Sequence, residues 1–361
     1  MTATTTDPPA ARPLAVPGGS RRRSGRRRQM SLLVTALAVL LACGVASVTV
    51  GSRFVAPEAL WHSLFGGDRT SIDAVIVWQL RIPRTVLAVL TGAALAVSGA
   101  VLQGVSRNPM ADPGLLGVNA GAALAVVLSI QLFGISTPAG YVTGALVGAA
   151  VVAALVVTFS SLGARGGRRG SGESGVTLVV AGMAVTALAT AVIQLLSLRD
   201  STTFDQLRVW QVGAVSGRDL GTLATAGPVL LVGAVLVVVT ARGVDALALG
   251  DEAARGLGQR TGRTRVLAVA GVVALCGASV ALAGPIGFVG LAVPHLARLL
   301  TGPDHRRVLA LSAVLGPCLL LAADVVGRVV HPPSEVPVGV LTAVIGVPVL
   351  LVLARRRAVA R

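Results

Sequence analysis

Side chains able to hold a proton, a metal or a nucleophile are few in this chain and far apart. Fifteen acids, four histidines and three cysteines are spread over 361 residues. His62, His295, His305 and His331 stand apart from one another. Cys43, Cys276 and Cys318 all fall inside apolar runs, without the close spacing of a metal site, and read as small buried hydrophobes. No G-x-S-x-G, no H-E-x-x-H and no defensible pair of carboxylates occurs. All 31 basic residues are arginine, so a phosphate-cradling G-x-x-x-x-G-K-[ST] loop lacks its lysine. The chain is therefore expected to hold no metal and no cofactor and to be no catalyst itself. Any ATP and Mg that drive it must sit on a separate polypeptide.

What remains is a chemistry of contacts. Ala246 to Arg260 reads ALALGDEAARGLGQR, a polar interruption between two long apolar runs. Helix formers flank Gly250, Asp251 suits an N-cap, and Gly256 and Gly258 suit stops. Two short helices beside a membrane fit a handle for a soluble partner; an ordinary amphipathic loop is the competing reading. Arg81 and Arg84 bracket Pro83 ahead of an apolar run, where arginines either anchor at the interface or dock a partner. Asp324 is the one acid placed inside an apolar run, where a bare carboxylate costs about 2.5–3.5 kcal/mol. Arg328 follows it one turn later, in the favourable acid-first order for an ion pair. A proton- or cation-coupling role for Asp324 stays open. Asn108, Pro109, Asp112 and Pro113 have the residue types of a tight structural turn. Ser201–Leu220 reads as a short interfacial helix, with Trp210 as a belt residue.

The elements that must position these residues are membrane helices. Hydrophobic residues make up 54% of the chain, charged ones 13%, and mean hydropathy is +0.81. A helical span needs about 20 apolar residues, and such runs overshoot the roughly ten-residue strands of a barrel. Ten spans are expected, over 31–50, 84–105, 115–134, 138–160, 176–197, 221–241, 266–284, 287–301, 308–328 and 338–354. The fold class is all-α, a polytopic bundle with a short cytoplasmic coupling-helix segment. Residues 1–30 are rich in Pro, Gly, Ser and Arg and read as a disordered arm lying on anionic lipid, ahead of an uncleaved first helix; a cleaved signal peptide is the competing reading. Residues 31–356 form the membrane domain, and 357–361 form a tail. With both termini inside, 23 of the 31 arginines fall on the cytoplasmic side, the orientation favoured by the positive-inside rule. The chain is thus expected in the plasma (cytoplasmic) membrane. Its net charge of +16 gathers in short loops, which argues against nucleic acid as partner. Glycine pairs at four-residue spacing, Gly117/Gly121, Gly144/Gly148 and Gly213/Gly217, would let helices approach closely.

Several stretches resemble the permease subunits of ABC importers for ferric siderophores, haem and cobalamin. Arg81–Arg84 matches an R-[LI]-P-R motif, and Asn108–Gly117 an N-P-[LM]-A-x-P-x-x-L-G loop. LGDEAARGLG at 249–258 is similar to the family's coupling segment. AGPIGFVGLAVPHLARLL at 283–300 and EVPVGVLTAVIGVPVLL at 335–351 complete the match, which spans roughly 30–356. The resemblance implies ten helices, a second permease copy or paralogue, two cytoplasmic ABC ATPase subunits and an extracytoplasmic substrate-binding protein. It makes Gly250, Asp251, Glu252, Ala254, Arg255, Gly256, Leu257 and Gly258 the ATPase-coupling residues. It makes Arg81, Arg84 and Arg328 the docking residues for the binding protein. The expected cargo is a ferric siderophore, with haem or cobalamin as alternatives. The rival from another class is an ion-coupled secondary transporter, which would need a charged midplane site around Asp324.

Overall fold

Runs of Ala, Val and Leu with few polar interruptions satisfy their backbone groups only as helices when no water is at hand. In the computed structural model, which describes residues 20–51, 55–66, 70–135, 137–165, 173–332 and 334–359, every regular element among them is helical. The order is α1 (Ser20–Thr49), α2 (Pro57–Phe65), α3 (Ile72–Val75), a π-helical turn (Ile76–Arg81) and α4 (Ile82–Ser106). A 3-10 turn (Pro113–Leu116) leads to α5 (Val118–Phe133), α6 (Pro138–Arg165), α7 (Glu173–Ser197) and α8 (Ser201–Gln211). Then come α9 (Leu220–Ala248), α10 (Asp251–Gly256), α11 (Thr261–Ala283), α12 (Val289–Thr301), α13 (His305–Val330) and α14 (Val338–Val359).

Helices occur at all ten expected spans. Among the described residues, seven are long and apolar enough to cross a membrane: α1, α3 to α4 as one rod, α6, α7, α9, α11 and α13. The apolar stretches Val118–Phe133, Val289–Thr301 and Val338–Pro348 are shorter than a standard span. Ser20–Met30, expected in the unstructured arm, is the first part of α1; residues 1–19 of that arm and the last two of the tail lie outside the described residues.

α4 and α11 form the interior. Their apolar windows are 67% and 72% buried, against 11% for α1 and 22% for α7 and α9. α4 packs against α13, α11, α12 and α9. Its crossing with α13 brings Gly92 so near Gly316 that a Cβ at Gly92 would lie 2.7 Å from the Gly316 carbonyl oxygen. Gly121 and Gly148 permit a similar approach of α5 to α6. Gly213 and Gly217, expected in the same role, instead lie in the loop after α8 with φ of 71° and 68°. Trp210 differs too: it is buried in the main core rather than in an interfacial belt, because α8 lays it against the bundle. Trp61 and Phe65 on α2 are exposed and in contact, at 4.5 Å between ring centroids; Phe133, Phe159 and Phe204 are exposed as well.

The π-helical turn has a local cause. Pro83 has no N–H to offer a carbonyl four residues back, and the Ile82 N–H bonds Val77 five residues back. The wider turn sets Arg81 and Arg84 at the N-terminal end of α4.

Candidate functional site

Two clusters occupy opposite ends of α4. At the C-terminal end of α4, α9 continues without a break to Ala248, so the first of the two expected short helices is the last turn of α9. Leu249 and Gly250 then turn the chain. Gly250, with φ 115°, caps α10 in the place expected for Asp251; only glycine adopts that conformation without strain. Gly258, with φ 76°, makes the exit turn.

The six-residue α10 has two faces. Ala254 is fully buried and packs with Ala246 and Leu247. Asp251 also faces the bundle, its carboxylate accepting from Arg107 after α4 and, at 3.3 and 3.4 Å, from Arg265 of α11. Glu252, Arg255, Gly256, Leu257 and Gly258 are exposed on the other side, next to an equally exposed Leu249. Of the eight residues expected to meet a partner, Asp251 and Ala254 are therefore attachments to the bundle.

Arg107 completes the attachment. It has φ 53° and donates through Nε at 2.7 Å to the Leu247 carbonyl at the end of α9, which also accepts the Gly250 N–H at 3.2 Å. The adjoining Asn108–Pro113 loop is the tight turn its residue types suggest. Met110 N–H donates to Asn108 Oδ1 at 2.9 Å, and Gly114 N–H to Asp112 Oδ1 at 2.8 Å. Burial pushes the Asp112 carboxyl above the usual carboxylate range, against the pull of the Gly114 bond.

At the N-terminal end of α4, Asp324 of α13 is held by two guanidiniums. Arg84 donates Nε to both of its oxygens at 3.0 Å and Nη2 to Oδ1 at 2.7 Å. Arg328 donates Nη2 to Oδ2 at 2.6 Å, the acid-first pair expected from the spacing. Arg84 also reaches Glu335 at 2.7 Å. Arg328 and Arg81 then cover the end of α1: Arg328 donates to the carbonyls of Ser47 and Val50, and Arg81 to that of Val48. These acceptors are the open carbonyls of a helix C-terminus, where a cation is favoured. Arg81 and Arg328 are consequently buried, with side chains facing inward, where docking side chains were expected to face outward. Arg84 keeps 13% of its side chain exposed and Glu335 33%.

The motifs, the helix order and the two-sided α10 can be set beside known proteins. The model of the FecCD transport family matches residues 39–356. The chain belongs to this family.

Its similarity runs nearly end to end. The ferric enterobactin transport system permease protein FepD of Escherichia coli (strain K12) is 41% identical over 330 residues, covering 91% of this chain and 96% of FepD. The hemin transport system permease protein HmuU of Yersinia pestis is 38% identical over 330 residues, covering 89% and 93%. A solved inward-facing conformation, of a transporter assigned to the metal-chelate type of ABC transporter, superposes with a TM-score of 0.77. Identity to it is 27%, and the match covers 90% of this chain and 99% of that one.

This FecCD chain also uses residues that sequence reasoning missed. Gln103, buried in α4, donates to the Gly290 carbonyl at 3.1 Å and accepts from Arg298, tying α4 to α12. Its one visible signal was an amide in an otherwise apolar run. Ser47, Arg107, Arg265 and Glu335 gave none, since each partner is distant in sequence.

Proposed function

We propose that this FecCD protein is the transmembrane permease subunit of an ATP-driven importer that moves a ferric chelate delivered by an extracytoplasmic binding protein. The observation that carries the reading is the two-sided α10. One face is fixed to the bundle through Asp251 and Ala254, and the other, with Glu252, Arg255 and Leu257, is open beside a chain that has no lysine for a phosphate loop. A short helix held this way is a stiff lever. Closure of two ABC ATPases against it would push on Arg107 and Arg265, hence on α4 and α11, the two most interior helices.

On this reading the three shorter apolar helices complete ten spans, with both termini cytoplasmic. A second permease, identical or paralogous, and lipid cover the apolar faces of α7 and α9. ATP and Mg belong to the ATPases. The binding protein meets the outer rim at Arg84, the most reachable of the three arginines, while Arg81 and Arg328 hold the rim in shape. A ferric siderophore is the first candidate cargo, FepD being a ferric enterobactin system permease; hemin, after HmuU, and cobalamin are the alternatives within the family. An ion-coupled secondary mechanism has little to work with, because Asp324 is already bound by two guanidiniums.

The test is the exposed face of α10. Arg255→Glu combined with Leu257→Asp leaves the bundle contacts intact, so the variant should insert normally yet lose ATPase capture in detergent pull-downs. Full capture by the double variant would refute the coupling role.

A further inference from the structure

Between the outer ends of α4, α9 and α13 lies a cavity of about 490 Å³, lined by Arg81, Arg84, Arg218, Arg328, Asp219 and Glu335 among others. Small-molecule sites usually occupy about 300–1,000 Å³. Four guanidiniums in the lining face two carboxylates, and the partners of each show where the surplus lies. Arg84 and Arg328 share Asp324, and Arg84 also holds Glu335. Arg81 donates to the Val48 carbonyl. Asp219 is committed to α9, its Oδ1 accepting from the Thr222 N–H at 3.0 Å. Arg218 stands apart: among the described residues it makes no hydrogen bond and no ion pair, and its Nη1 is buried without an acceptor. Burial disfavours its charged form. A guanidinium keeps its proton in proteins, so the missing acceptor is a free-energy cost that an incoming anion would relieve.

We propose that this cavity binds a small carboxylate anion, with Arg218 as its principal cation. The planar fork of a guanidinium matches a carboxylate through two parallel hydrogen bonds. Arg81 and Arg328 supply positive potential from the wall without being free to move, because their own partners fix them. A solute small enough to enter is the fitting occupant, since the unpartnered Nη1 of Arg218 is buried. For its place in transport the inference rests on the import reading: the cavity would hold carboxylate arms of an anionic chelate at the outer mouth. Binding there should be weak, as passage requires.

The experiment is calorimetric titration of citrate into the full-length protein in lipid nanodiscs at low salt, without ATPase or binding protein. Wild type should bind citrate, and Arg218→Gln should weaken it at least tenfold. Arg208→Gln, on exposed α8 and paired with Asp205, should leave affinity unchanged. Should Arg218→Gln not fold, Arg218→Lys decides, because loss of the fork should still weaken citrate several-fold. No binding to wild type, or equal affinity in the Arg218 variant, would overturn the site. The uncharged triamide of citrate binding as well as citrate would do the same. Because the readout needs no transport, a failed uptake assay would count against the import reading and leave this site standing, and the converse holds.

Discussion

Asp324 shows how a single carboxylate can organise one end of the bundle. It is 2% exposed and bound to Arg84 and Arg328, which in turn cap α1 and reach Glu335. Removing one member of a buried ion pair leaves the others charged and unpaired, at about 3–5 kcal/mol. Asp324→Ala should therefore lower stability by about that amount in denaturant titration of the detergent-solubilised protein; a loss within experimental scatter would mean that water already screens the network. Asp112 allows a pH test. Its folded carboxyl pKa lies above the ordinary value of 3.8, so the folded state holds the proton more tightly than the unfolded chain does. Its contribution favours folding below the unfolded pKa and turns into a cost as pH rises through the folded one. Asp112→Asn, which keeps the acceptor for Gly114, should raise the thermal midpoint at neutral pH, with the gain shrinking as pH falls toward 4. An equal gain at all pH values would point to packing instead. At this scale the sequence was partly legible. Asp324 and Arg328 are one helical turn apart, so their pairing follows from spacing, whereas Arg84 is 240 residues from Asp324 and no local rule joins them.

Among the elements, α10 carries the argument. Gly250 and Gly258 have φ of 115° and 76°, and proline fixes φ near −65°. Gly258→Pro should displace the exit of α10 while leaving the spans in place. ATPase binding would weaken and ATP-driven uptake fall to background; unchanged uptake would remove α10 from the mechanism. Asp251→Asn probes the other end of the lever. It keeps the exposed face but weakens the contacts to Arg107 and Arg265, so ATP hydrolysis should persist while uptake per ATP falls on the order of tenfold, the factor equivalent to about 1.4 kcal/mol. Equal falls in hydrolysis and uptake would show that the residue serves docking after all. Apolar run length located a helix at each of the ten expected positions, seven of them long enough to span among the described residues. It missed α2 and the π-helical turn, which depend on Pro57 at the start of α2 and on Pro83. It also split 246–249 from α9, since a polar change was read as a helix end where nothing breaks the backbone.

Across the whole molecule, the two clusters sit at the two ends of α4, the helix around which α9, α11, α12 and α13 assemble. The cluster at its C-terminal end links α4 to α10 through Arg107, and the one at its N-terminal end links it to α1 and α13 through Arg84 and Arg81. On the import reading, movement of α10 is transmitted along this helix to the outer rim, with energy supplied by a separate subunit. The most direct measurement is uptake of a ferric siderophore into proteoliposomes holding the purified permease, loaded binding protein outside, with or without its cognate ATPase inside. The account predicts uptake only when both ATPase and ATP are present, and none driven by a proton gradient alone. Full uptake without the ATPase would contradict it.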